Sequence, residues 1–360
     1  MSLLELLFNQ APPLLLAVTA LAAWIVTTLV ARRAAALGLV HEPTGRCLHS
    51  TATPHGGGVG VVIAFFGALS FSYVNGAVPW DLYALLLLAG GTIAALGLWD
   101  DITPLPAGLR LAVQALVLAC AIALLSRGED DRWNLGLWWG AGWLALLWWL
   151  NLFNFMDGID GLAGLETLFI ALGGALLLYW HADQPATLAA ASVLGAFCLL
   201  ASATAGFLVA NWAPATIFMG DVGSTFLGLT LGLLALVCCA EQLLPPAVWV
   251  ILGGVFWVDG TVTLLRRIYR GESWRQPHRD HAYQRLARTL ARAEEARGRS
   301  KPAARTHAHR RVCLLVALIN GLWLLPLAAL VIIAPQWGQA LIALVALLPI
   351  VAAAFWRTTE

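Results

Sequence analysis

Five aspartates stand in three short, glycine-rich contexts: Asp100 and Asp101 close the run "GLWDD", Asp157 and Asp160 lie in "NFMDGIDG", and Asp221 lies in "IFMGDVGS". Carboxylates brought together repel, so such a group needs raised pKa values, bound cations or basic partners. Hard oxygen ligands of this kind suit Mg²⁺ or Mn²⁺, and Mg²⁺ commonly takes one or two protein carboxylates together with substrate phosphates. The glycines Gly158, Gly161, Gly164, Gly220 and Gly223 beside them let backbone approach closely and offer N–H groups to phosphate oxygens at helix N-termini. Arg46, His49, His278, Arg279 and His281 supply positive donors for the same anions. Taken singly, each motif has a plainer explanation. Asp-Asp after an apolar run is a solvated helix end, "DGIDG" is a tight turn, and in "GDVGS" either Asp221 or Ser224 caps a helix. Which explanation holds depends on the elements that carry them.

Those elements are apolar. Of the 360 residues, 60% are hydrophobic and 11% charged, against roughly 25% charged in an ordinary soluble protein. A soluble globular enzyme and a disordered chain are excluded. With 21 Lys+Arg against 20 Asp+Glu there is no overall basic excess, which argues against nucleic acid as a partner. None of the six cysteines is in a C-x-x-C spacing, so neither a zinc site nor a disulfide framework is expected.

Crossing a bilayer core of about 30 Å takes roughly 20 apolar residues. Stretches that each hold one span are the uncharged Leu6 to Ala31, Gly56 to Trp80, Leu82 to Trp99, Leu111 to Ser126 and Trp133 to Met156, then Leu162 to Trp180, interrupted only by Glu166, and the uncharged Gln184 to about Ala210, Val222 to Ala240 and Gln242 to Val258. Two more fill Val312 to Trp356, divided by the turn Pro335-Gln336-Trp337-Gly338-Gln339. The expected fold is all-α: a polytopic membrane protein of about eleven spans, with residues 1–360 forming one transmembrane catalytic domain. Placing the N-terminus outside and the C-terminus inside puts 19 of the 21 basic residues on the inner side, 14 of them in one loop from Arg266 to Arg311. The first run lacks a basic leading segment and is too long for a cleaved signal peptide. The middle of the basic loop reads as an Arg-rich helix ending near Gly298, in a segment that anionic lipid would attract.

On this topology Asp81, Glu129, Asp130, Asp131, Asp183 and Glu241 fall in short outer loops and only solvate them, whereas all three aspartate turns fall on the inner face. Three such turns on one side of an otherwise uncharged bundle are hard to explain as caps. Metal, phosphate and base together point to phosphoryl transfer to an acceptor dissolved in the membrane. Glu166 and Asp259 lie inside apolar runs, where ionisable residues are costly; Glu166 is close to the inner interface, and Asp259 shares a helix face with Arg266, so structural roles are expected for both.

At "NLFNFMDGIDGLAG", "IFMGDVGSTFLG", "GLWDD" and "HRDHAYQRL" the chain resembles the polyprenyl-phosphate N-acetylhexosamine-1-phosphate transferase superfamily, also called glycosyltransferase family 4. The likeness runs from about Arg46 to Arg311. "GRCLHSTATPHGGGVG" and "HRDHAYQRL" resemble its O-antigen-initiating branch; the three-histidine run of the peptidoglycan enzyme is absent. Two departures stand out: no Lys follows Asp100-Asp101, and the stretch Arg292 to Arg305 is longer than usual.

The resemblance implies transfer of a HexNAc-1-phosphate from a UDP-sugar to undecaprenyl phosphate at the cytoplasmic face of the bacterial inner membrane, with release of UMP. By similarity Asp221 is a Mg²⁺ ligand and Asn154 a candidate second one. Asp160, Asn211 and Phe218 match positions that hold the uridine, Asp100 or Asp101 binds or deprotonates the lipid phosphate, and Asp157 sits beside the diphosphate. His278, Arg279 and His281 contact the sugar or phosphates. A CDP-alcohol phosphatidyltransferase would need Ala-Arg and further spaced aspartates after "DGIDG", which the chain lacks. A cation-coupled transporter would place its acids near mid-bilayer rather than at inner ends.

Overall fold

A computed structural model describes residues 11–40, 53–126, 135–181, 187–272 and 279–356. Arg46, His49 and His278 lie outside the described residues, as do Glu129, Asp130, Asp131 and Asp183. Long apolar segments in lipid must pair their own backbone groups, and the helix does this within one segment. The order is α1 (Pro13–Arg33), α2 (Gly58–Val74), α3 (Trp80–Ile102), α4 (Ala107–Leu125), α5 (Leu135–Phe155), α6 (Leu162–His181) and α7 (Leu188–Asn211). There follow α8 (Asp221–Ala240), α9 (Pro246–Leu252), α10 (Gly254–Tyr269), α11 (Ala282–Ala296), α12 (Lys301–Ile319), a single π-helical turn (Asn320–Leu324), α13 (Leu325–Ile333) and α14 (Gln336–Trp356).

The protein is an all-α polytopic membrane protein. Eight segments are long and apolar enough to cross a membrane, and the bent pair α9 and α10 makes a ninth if taken as one crossing. The shorter α2 and the Trp-rich α5 occupy two further apolar stretches. The most buried spans are α6, α7 and α8, and their inward faces join α3 in one continuous apolar core that includes Phe65, Phe153, Phe197, Phe226 and Phe256. Trp80, Trp99, Trp180 and Trp212, at helix ends, are exposed, as interfacial tryptophans are.

Two elements depart from the straight spans expected. The stretch from Gln242 to Val258 is not one helix: α9 and α10 meet at 74° around Gly253, where the Trp149 ring leaves no room for a side chain. An apolar cavity of about 160 Å³, lined in part by Trp149, Trp249 and Trp257, lies beside this bend. The second departure is the helix expected from Val312, which begins at Lys301 and continues through the π turn to Ile333, 33 residues in all. At 1.5 Å per residue that is about 50 Å, so about 20 Å of it stands beyond the hydrocarbon core. Its charged first turns hid this part from a reading based on uncharged stretches.

The π turn is where this long helix meets α6. Asn320 Nδ2 donates to Glu166 Oε2 at 2.6 Å, with both residues 0% exposed. A π turn re-aims side chains within an otherwise regular helix, and here it turns an amide toward a carboxyl that has no water to meet. Glu166 therefore holds helices together, as expected. Replacing Asn320 with Leu strands that carboxyl at a cost of about 1–3 kcal/mol. Thermal unfolding in detergent should show Asn320→Leu melting several degrees below the wild type and Glu166→Gln close to it; equal melting of all three would mean that the pair carries no stability.

Candidate active site

The C-terminal end of α3 and the start of α8 are joined by one carboxylate. Asp101 Oδ1 accepts the Asp221 N–H at 2.9 Å and Oδ2 the Val222 N–H at 3.0 Å. These are orphan donors of the first turn of α8, and a residue 120 positions away caps them in place of the usual local cap. With both oxygens engaged and little surface exposed, Asp101 positions α8. Its neighbour Asp100 is likewise bound through both oxygens, but to other partners.

Asp100 Oδ1 accepts the Leu105 N–H at 2.6 Å, and Oδ2 accepts from Arg110 Nη1 at 2.5 Å. The same guanidinium nitrogen is 2.8 Å from Asp221 Oδ2, so one cation bridges two of the aspartate motifs. Sequence reading placed Arg110 on the inner side but gave it no part in the site. Its position one helical turn into α4 signals nothing until α3, α4 and α8 are packed together. His55, with Nε2 2.9 Å from the Asp101 carbonyl oxygen, was missed for the same reason.

The loop between α5 and α6 brings Asp157 and Asp160 beside this bridge. Burial pushes the Asp157 carboxyl well above its ordinary value, and the nearby carboxylates of Asp221, Asp101 and Asp160 add to the shift. Asn154 lies in the last turn of α5, and its carbonyl accepts the Asp157 N–H at 3.2 Å. Asp160 is buried: its Oδ2 accepts the Ala215 N–H at 3.1 Å, and His309 Nδ1 of α12 lies 3.4 Å from both that oxygen and the Asp160 amide nitrogen. Asn211 ties two loops, accepting from Gly161 N at 3.0 Å and donating to Ile217 O at 2.9 Å, so its amide is already spent on the protein. Phe218, half-buried, follows in the loop before α8, where its N–H reaches Pro54 O at 2.8 Å and Gly57 N–H reaches its carbonyl at 2.9 Å.

The basic loop docks on the same carboxylates through α11. Asp259 of α10 accepts the N–H groups of Ala282 at 2.8 Å and Tyr283 at 3.0 Å, repeating at α11 the capping that Asp101 performs at α8. Asp259 is thus structural, as expected, although Arg266 reaches the Ala354 carbonyl instead of Asp259. His281 is buried 3.5 Å from Asp259 Oδ1 and turned away from solvent, whereas Asp280 pairs with Arg267. Arg279 is half-buried, and its carbonyl accepts from Arg288 at 2.8 Å. The Tyr283 hydroxyl donates to Phe155 O at 3.1 Å and lies against Gly158, where a Cβ would stand 2.1 Å from it. Burial holds the Tyr283 phenol well above its ordinary value, with Asp259 and Asp157 adding to the shift. Asp100, Asp101, Asp221 and Arg110 thus form one group, Asp157, Asp160 and Asn211 adjoin it, and Tyr283 and His309 close it from the basic loop.

The Asp157 shift sets a sign for stability against pH. A carboxyl with a raised folded-state pKa is destabilising when ionised, and the penalty disappears as pH falls through that value toward the unfolded one near about 3.9. With chelator present, Asp157→Asn should therefore melt above the wild type at about pH 7.5, and the gain should shrink as the pH is lowered. A melting difference independent of pH would contradict the assignment.

The sequence profile described as glycosyl transferase family 4 matches residues 83–239, which carry all three aspartate motifs. A probable undecaprenyl-phosphate N-acetylglucosaminyl 1-phosphate transferase of Bacillus subtilis is 30% identical over 291 residues, covering 75% of each chain. A phospho-N-acetylmuramoyl-pentapeptide-transferase of Moorella thermoacetica is 34% identical over 240 residues, covering 61% of this chain and 70% of that one. The protein of the same name from Methylacidiphilum infernorum is 30% identical over 248 residues, covering 59% and 65%. By its motifs, its helical membrane architecture and its identity across three quarters of a relative, the chain belongs to the polyprenyl-phosphate N-acetylhexosamine-1-phosphate transferase superfamily, glycosyltransferase family 4.

Proposed function

We propose that the protein transfers a HexNAc-1-phosphate from a UDP-activated amino sugar to undecaprenyl phosphate at the cytoplasmic face of the bacterial inner membrane, releasing UMP and initiating O-antigen or a related envelope polysaccharide. The observation that carries this reading is the Asp100–Arg110–Asp221 bridge beside Asp157, at the ends of membrane-crossing helices. Charge at the end of such helices is what the meeting of a membrane-dissolved phosphate with a soluble donor requires.

In the reaction an oxygen of the lipid phosphate attacks the sugar-bearing phosphorus of the donor. A new P–O bond forms, the bridging P–O bond breaks, and UMP leaves with its electron pair. Two anions have to meet, so alignment and charge cancellation are the protein's main tasks. Arg110 is the guanidinium at the centre of the cluster and offers donors to a phosphate oxygen. Asp100, fixed by Leu105 N and Arg110, orients the attacking lipid phosphate. Asp157, buried beside Asp221, Asp101 and Asp160, is the carboxyl that takes up the acceptor's proton. Asp160 and Phe218 flank the loop where the uridine sits, with Asn211 fixing that loop.

The donor set fits a hard divalent cation. Asp221 offers a carboxylate at the start of α8, and Asn154, one turn before Asp157, offers a side-chain amide. That suits Mg²⁺, which binds through one or two carboxylates plus substrate phosphates and water. When bound, Mg²⁺ neutralises diphosphate oxygens and stabilises the leaving UMP.

A second reading, transfer of phospho-N-acetylmuramoyl-pentapeptide, is favoured by the names of two of the relatives. Purified protein in nanodiscs with undecaprenyl phosphate and Mg²⁺ should release UMP from a UDP-HexNAc panel that includes GlcNAc and the 6-deoxy sugars FucNAc and QuiNAc. Turnover of UDP-N-acetylmuramoyl-pentapeptide alone would decide for the second reading. Asp221→Ala should lower turnover by about 100-fold or more. A sugar-phosphate adduct trapped on the protein without acceptor would overturn the single-step transfer.

A further inference from the structure

The hairpin of α11 and α12 contains the long stretch Arg292 to Arg305, and its two faces treat their charges differently. On one face Glu294, almost fully buried, answers Arg297 and Arg299 at 2.9 Å, Arg311 at 3.4 Å and His307 at 3.5 Å. On the other, Arg288, Arg292, Lys301, Arg305 and His309 line a cavity of about 340 Å³ whose single acid is Glu295. Arg288 and Arg292 are four residues apart on α11, and Lys301, Arg305 and His309 follow the same spacing on α12. Side chains four apart share a helix face, so two basic ladders look at each other across the cavity. Ala287 and Ala291 contribute the small side chains that keep it open.

Arg292, Lys301 and Arg305 have no ion-pair partner among the described residues, in contrast to the arginines around Glu294. Burial holds the Arg288 guanidinium below its ordinary value, and Arg279, Arg292 and Arg285 push it further down against the opposing pull of Asp280. Four cations gathered with one carboxylate repel one another, and a multiply charged anion relieves that repulsion. Arginine forks match phosphate oxygens in shape as well as charge. We infer that this cleft is a binding site for a soluble phosphate-bearing ligand of nucleotide or sugar-phosphate size, separate from the carboxylate cluster.

Height above the bilayer favours a soluble ligand over a lipid headgroup. Counted from Cys313, beside the start of the uncharged run at Val312, Arg305 stands about 12 Å and Lys301 about 18 Å along the helix axis, whereas the headgroup layer is roughly 5–8 Å thick on each side and only His309, about 6 Å away, is at its level. At the floor of the cleft His309 touches Asp160, and the next residue, Arg310, donates to Ala213 O at 2.8 Å. An occupant therefore lies one side chain from the loops of the site. Its charge and shape are the same whether it is a nucleotide, a sugar phosphate or a free polyphosphate.

Full-length protein in phosphatidylcholine nanodiscs, with chelator present, can be titrated calorimetrically with inorganic pyrophosphate. One equivalent should bind, more weakly as salt is raised, and about 10-fold or more weakly in Arg292→Ala/Arg305→Ala. That double variant removes cations that lack partners, so its melting temperature should not fall. Arg110→Ala, which removes the cation of the carboxylate cluster, should bind pyrophosphate as the wild type does, which separates this site from the proposed catalytic one. Absence of binding, or equal binding by the double variant, would overturn the inference. So would loss of pyrophosphate binding in nanodiscs containing phosphatidylglycerol, since a lipid headgroup would then be the occupant.

Discussion

One end of this bundle depends on carboxylates that accept backbone N–H groups in pairs. A helix begins with donors that have no partner of their own, and where its first turn is buried in the protein water cannot satisfy them. Asp101 answers two such donors at α8 and Asp259 two more at α11, each reaching from a different helix. Asp160 does the same on a smaller scale for Ala215. These bonds fix the starts of α8 and α11 and the loop before α8. The capping acids therefore hold in place the elements that surround the aspartate cluster.

That scaffold leaves an excess of negative charge in a small space, and a single guanidinium moderates it. Arg110 joins Asp100 to Asp221, while Asp157 is left to repel its neighbours. An anionic substrate meets a site whose charges are only partly cancelled. This is the condition in which a cation can be shared between protein and substrate rather than held by the protein alone.

Much of the architecture could be read from composition, because a span is defined by about 20 residues without charge and little else. The same rule explains where the reading failed. Lys301 to Arg311 is helical but charged, so α12 began too late, and the break at Gly253 depends on where Trp149 packs, which no local pattern records. The aspartate motifs were visible because short glycine-rich turns are distinctive. Their division of labour was not: Asp101 and Asp100 are neighbours in sequence and differ only in which way α3 turns them. Arg110 and His309 carried no local signal, and His55 and Tyr283 stood inside recognised motifs without a role, since each matters through a contact with a residue far away in the chain.

The aspartate cluster lies at the ends of membrane-crossing helices rather than in a domain held away from them. A polyprenyl phosphate is confined to the bilayer, so its headgroup arrives by lateral diffusion, while in the proposed reaction the sugar donor arrives through the aqueous volume. The two reactants are thus counted in different units, one per area and one per volume. Adding membrane dilutes the first and leaves the second unchanged. For an enzyme built this way, the lipid-to-protein ratio is as much a kinetic variable as any concentration in solution.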